Sequence, residues 1–137
     1  MKSNENKISY FKHLIYKDYA SDENGNIYIY SGDSGEIVVS GLPTDKNYTV
    51  YFMVKDSKNR VVSNVLEVKS NFNSTVTFII TSEFSSKLKI PKNEEVGFYT
   101  YGIKTVDDDG IENTLFVEDC CYEDSNMVLV FPEKVEV

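Results

Sequence analysis

The sequence has no tryptophan and no glutamine, one alanine (Ala20), one histidine (His13) and two cysteines, adjacent at Cys120 and Cys121. These absences remove whole classes of chemistry. A lone imidazole has no second histidine with which to share a metal, and neighbouring cysteines lack the spacing of a zinc-ligand pair. A nucleophilic serine needs a shaped turn such as Gly-x-Ser-x-Gly, and the sequence has none. The expectation is therefore no enzyme activity, no cofactor and no metal. A disulfide between adjacent cysteines would strain the peptide that joins them, so Cys120 and Cys121 read as free thiols made in a reducing cytoplasm. No apolar run approaches the roughly 20 residues that cross a bilayer, and no membrane contact is expected. The amino terminus is polar from Lys2 to Lys7, and the stretch after it is broken by Lys12, His13, Lys17 and Asp18. That pattern is not a signal peptide. Basic runs are missing too. With 14 basic against 22 acidic residues and a net charge of −8, nothing here matches the clustered cations that bind phosphate backbones.

What is present points to β-structure. Among 137 residues there are 16 valines, 10 tyrosines and 8 phenylalanines, residue types that suit a pleated, half-buried surface. The length fits one domain with its own core. The clearest strand runs from Tyr48 to Lys55: Tyr48, Val50, Phe52 and Val54 fall on one face, and Thr49, Tyr51, Met53 and Lys55 on the other, the period of a sheet with one face buried. Val76, Phe78 and Ile80 alternate in the same way within Thr75–Thr81, with Ile79 outside. Further strands are predicted at 27–30, 36–40, 61–69, 98–106, 113–118 and 127–131. Residues 8–19 suit either a helical stripe or extended chain, and are read as extended. Turns fall at Ser21–Asn26, where Asn24-Gly25 supplies positive φ, at Ser31–Gly35, at Asp56–Asn59, at Ser70–Ser74 and at Asp107–Gly110. Ser82 to Leu88 suits one helical turn with Ser82 as its N-cap, ended by Pro91. Seven or eight short strands with regular turn signals describe an all-β sandwich or small barrel.

Three features invite a site. Asp107, Asp108 and Asp109 carry carboxylates of the kind calcium takes, but consecutive residues of a turn point in different directions, and the reading is a solvated turn. Tyr10, Tyr16, Tyr19, Tyr28 and Tyr30 crowd the amino-terminal part and could line a sugar-binding groove, although tryptophan, the usual platform, is missing. Asn47-Tyr48-Thr49 and Asn73-Ser74-Thr75 match the glycosylation sequon, which carries no meaning without export.

One resemblance adds to this. The runs Tyr48–Asp56, Val76–Ile80, Leu88–Glu95, Tyr99–Lys104, Glu112–Leu115 and Val130–Glu136, with the Ser31–Gly35 turn before them, resemble small all-β virion proteins of tailed phages and prophages of Gram-positive bacteria. They are similar to the immunoglobulin-like amino-terminal modules of baseplate and tail-accessory proteins. The likeness spans about residues 30–137, in strand and turn patterns rather than catalytic signatures. It implies an immunoglobulin-like antiparallel β-sandwich of about seven or eight strands over 31–137; residues 1–30 depart from the pattern and are read as an extension bearing a β-hairpin, packed on or beside the core. It also implies a structural subunit of the neck, tail or baseplate, made in the host cytoplasm and found in the particle. Its expected partners are itself, as a homo-oligomeric ring, and other virion proteins, with no nucleic acid or membrane. The other reading is a carbohydrate- or cell-surface-binding sandwich.

For assembly, the candidate interface is Val128, Val130, Phe131, Pro132, Val135, Val137, Tyr28 and Tyr30. Met127–Phe131 is apolar on both faces, so it is buried on both, in the sandwich or against a partner. Pro132 cannot donate to a ladder, and Val135–Val137 could add to a neighbour's sheet edge.

Overall fold

The computed structural model describes residues 15–17, 20–21, 26–62, 64–115 and 127–132, with side chains at 26–62, 64–112 and 127–132. His13, the Asn24-Gly25 turn, Cys120, Cys121, Val135 and Val137 lie outside them. Alternation of apolar and polar residues produces most of the strands. They are β1 (Ile15–Lys17), β2 (Ala20–Ser21), β3 (Ile27–Tyr30), β4 (Gly35–Ser40), β5 (Tyr48–Lys55), β6 (Leu66–Lys69), β7 (Thr75–Ile80), β8 (Gly97–Asp107), β9 (Glu112–Leu115) and β10 (Met127–Phe131), with one helix, α1 (Ser82–Ser86).

The strands form two sheets. The smaller has the order β1-β4-β7, and the larger β2-β3-β10-β8-β5-β6, with β9 also paired to β8. Strand β8 organises the larger sheet. Along one side it pairs with β5 from Thr100 to Asp107. On the other side β10 takes Gly97–Thr100 and β9 takes Ile103–Val106. Every described strand pair is antiparallel except β10 with β3, which is parallel. A parallel pair needs a long crossover. Here the crossover is nearly the whole chain, because β3 and β10 come from opposite ends of it.

The sheets enclose one core. Ile37, Val39, Val76, Phe78 and Ile80 face Ile27, Ile29, Val50, Phe52, Val54, Ile103, Val128 and Val130. Phe52 is at its centre, with ring centroids 5.6 Å from Phe78, 5.6 Å from Tyr101 and 6.5 Å from Phe84. A fully buried aromatic of this kind contributes on the order of 1.5–3 kcal/mol relative to exposure. Because Ile27 and Ile29 are core residues and β1 pairs with β4, these strands before residue 31 are members of the sheets.

The helix closes one end. Its N-cap is Thr81, one residue before the predicted Ser82: the Thr81 hydroxyl oxygen accepts from the Phe84 N–H at 3.0 Å. Thr81 is the last residue with extended backbone, which is the conformation an N-cap requires. Phe84 and Leu88 then enter the core, and the Ser85 hydroxyl donates to the Asp33 carbonyl at 2.6 Å. Gly97 opens β8 where no larger residue fits, since a Cβ there would lie 2.9 Å from the Lys89 carbonyl oxygen.

Candidate functional site

With Val128 and Val130 turned inward, the pleat turns Met127, Leu129 and Phe131 outward. The same holds on β3, where Ile27 and Ile29 are buried and Tyr28 and Tyr30 face out. Strand register collects these side chains. Leu129 is opposite Phe98 of β8 on one side and Tyr28 on the other, while Phe131 is opposite Tyr30. Directly opposed residues share a face, so Phe98, Leu129, Tyr28, Phe131 and Tyr30 form one apolar surface across three strands. The Phe131 ring is 6.4 Å from Tyr28, nearly parallel at 23°, and 5.8 Å from Tyr30. Phe98 is 57% exposed and Tyr30 37%.

At one margin a shallow depression of about 140 Å³ is lined by Asp56, Ser57, Phe98, Tyr99, Thr100 and Met127. The start of β10 is pinned there, the Met127 N–H donating to the Asn26 side-chain oxygen at 2.9 Å. The Tyr99 hydroxyl donates to the Lys89 carbonyl, and burial pushes its pKa up. It is a neutral phenol, held as a structural tie. Chemically this surface offers flat apolar contact with a polar rim.

Three predicted residues, Tyr28, Tyr30 and Phe131, are brought together here. Val128 and Val130 are not: they are 2% and 0% exposed in the core, so their side chains are withdrawn from any partner. A strand apolar on both faces has one face in the core, and parity alone does not tell which. Pro132 is exposed just after β10, where the Ser31 N–H donates to the Phe131 carbonyl at 2.8 Å. Phe98, Leu129 and Met127 were not singled out from the sequence. For Leu129 and Met127 the signal was their shared parity with Phe131; for Phe98 it was the inward position of Gly97 beside it.

The acidic turn has a different use. The Asp107 carboxylate accepts from the N–H groups of Asp109 and Ile111, both at 2.9 Å, and from Lys46 at 3.2 Å. The left-handed Gly110 (φ 82°) completes it. Asp56 is built the same way at the opposite end, accepting from Lys58 and Arg60 N–H groups and from the Arg60 guanidinium at 2.9 Å, with left-handed Asn59 in the place of Gly110. Both carboxyls are held below the usual range, first by a backbone N–H (Ile111 or Arg60) and then by the basic side chain. Their oxygens are occupied in holding turns. Among the described residues no group of three or more His, Cys, Asp or Glu is placed to hold a metal, and no helix is long and apolar enough to cross a membrane.

No family model and no curated protein matches the sequence. Solved structures do. The periplasmic chaperone SfaE superposes with a TM-score of 0.57 at 8% identity, over 82% of this chain and 56% of that one. The chain thus spans little more than half the length of that chaperone. CopC from Methylosinus trichosporium OB3b aligns over 91% of this chain and all of its own, with 13% identity and a TM-score of 0.36. The likeness is one of fold. This chain is an immunoglobulin-like β-sandwich, and among the described residues its regular structure is all strand apart from one short helix.

Proposed function

We propose that this chain is a structural subunit of a phage or phage-tail-like particle, working by oligomerisation and by docking to other structural proteins of that particle. One observation carries the reading: the aromatic surface of β3, β10 and β8, where Phe98 and Tyr30 remain exposed on the outer face of the larger sheet. Aromatic residues on a rigid sheet give large contact area at small entropic cost, and they dominate interface energetics. The resemblance of the strand and turn patterns to virion modules supports this class of neighbour. No bond-making step is assigned to any residue.

The test is the size of the purified chain and the effect of the surface on it. Light scattering should report multiples of the 15.6 kDa mass, and electron microscopy should find rings. Replacing Tyr30 and Phe98 by serine should abolish docking to neighbouring particle proteins and leave the fold intact. A species that stays solitary and joins no particle would sink the idea. The second reading, a carbohydrate- or cell-surface-binding module, draws on the same near-parallel Tyr28 and Phe131 rings, since sugars stack on flat aromatic faces. Specific glycan binding by the monomer, lost in the same variant, would favour it.

A further inference from the structure

Phe72 has a left-handed backbone (φ 64°) and a side chain 53% exposed, outside the core. Strained backbone of this kind persists where function uses the residue. Its turn lies at the Tyr48 end of the sandwich, because the Ser70 N–H donates to the Tyr48 carbonyl and the Asn71 N–H to the Asn47 side chain. Asp107 is opposite Tyr48 in the β5–β8 register, so the acidic turn shares that end. There Ile111 is a second large apolar residue in water, 52% exposed. Asp45, Asp108, Asp109 and Glu112 are exposed around these two. The cations nearby are engaged: Lys46 with Asp107 and Asp109, Lys104 with Glu112, and Lys69 with the Thr49 hydroxyl.

The opposite end has the other balance. Six of the nine basic side chains described fall within residues 55–60 and 87–92. Both segments flank the aromatic surface. Asp56 and Ser57 line the depression beside Phe98, and the Lys89 carbonyl accepts from Tyr99. Asp33, Asp56, Glu83, Glu94 and Glu95 share this end, so six cations accompany five carboxylates there, against three and five at the Tyr48 end.

We propose that the aromatic surface of one copy seats the Phe72 end of the next copy, head to tail. The proposal rests on the assembly reading above and names the neighbour that occupies that surface. The net charge of −8 is unevenly placed, and this arrangement sets the acidic end of one copy against the basic rim of another. Like ends meeting would oppose acid to acid or base to base. Phe72 and Ile111 against Phe98 and Tyr30 give the contact its strength, and charge sets which ends meet. Because the two surfaces differ, the contact is heterologous, the kind that closes into a ring when its rotation permits.

The experiment is sedimentation of the full chain and of two variants, with circular dichroism to confirm the fold. Phe72→Gly/Ile111→Ser removes the apolar contacts of the acidic end, and glycine suits the backbone at position 72. Tyr30→Ser/Phe98→Ser removes those of the aromatic surface. Each variant alone should be monomeric where the wild type forms larger species. Mixed, they should give a one-to-one heterodimer and nothing larger, since each keeps one working surface. Should the aromatic variant fold poorly, Phe72→Gly alone decides by its loss of association. If the Phe72 variant associates as the wild type does, or the mixture fails to pair, the head-to-tail contact is wrong and the assembly reading stands. If the wild type is monomeric throughout and joins no larger object, both fall.

Discussion

Phe72 has a backbone conformation that phenylalanine resists. It follows Asn71 in the tight turn between β6 and β7, both residues have positive φ (64° and 52°), and the Asn73 N–H donates to the Ser70 carbonyl at 3.0 Å. Two consecutive left-handed residues make a mirror-image turn, with glycine preferred at the second position; here it carries the chain from the larger sheet to the smaller. A left-handed non-glycine residue costs about 1–2 kcal/mol, of which glycine gives back roughly 0.4–1 through unfolded-chain entropy. Phe72→Gly should therefore stabilise the protein by about 0.5–1 kcal/mol net, read as a higher urea midpoint with an unchanged slope. Asp107 makes a pH prediction. Its folded pKa lies below the ordinary 3.8, so its stabilisation is present above the unfolded value and is lost as pH falls through the folded one. Asp107→Asn should lower Tm at pH 7, and its difference from wild type should narrow below about pH 4. A difference that is constant from pH 7 to pH 2 would exclude the charge as the cause.

At the scale of elements, the strands were legible wherever one face is buried. β4, β5 and β7 alternate without error because each has one face in the core and one face out. The helix was legible as a helix but not at its first residue. Thr81 and Ser82 are equally good caps by chemistry, and only the end of the β7 register at Ile80 decides between them. Thr81→Ala should cost about 1 kcal/mol, the usual value of a lost cap, whereas Ser82→Ala should cost little, as thermal melts of both variants would show. The turns were legible from Asp and Gly, yet their function was not. That Asp107 binds Lys46, 61 residues away, is a property of two loops meeting at one end of the sandwich.

For the whole molecule, charge and shape act against each other. A net charge of −8 keeps copies apart, with repulsion that reaches roughly 8–10 Å at ordinary ionic strength. An apolar contact between such copies should tighten as salt screens that repulsion. Raising sodium chloride from about 0.02 M to about 0.5 M, which shortens the screening length several-fold, should increase the associated fraction in sedimentation. A contact made of opposed charges would weaken under the same change.

Composition and period-two alternation by themselves determined the all-β class and the positions and inward residues of β5 and β7, because burial of one sheet face is written locally in every second residue; the strand expected over 61–69 is confined to Leu66–Lys69. Which strands become neighbours was decided by the tertiary structure alone. The parallel union of β3 with β10 joins residues a hundred positions apart, and no local pattern encodes it. That union sends Val128 and Val130 into the core and sets Phe131 beside Tyr28 and Tyr30. The aromatic surface therefore exists only once both ends of the chain lie in one sheet.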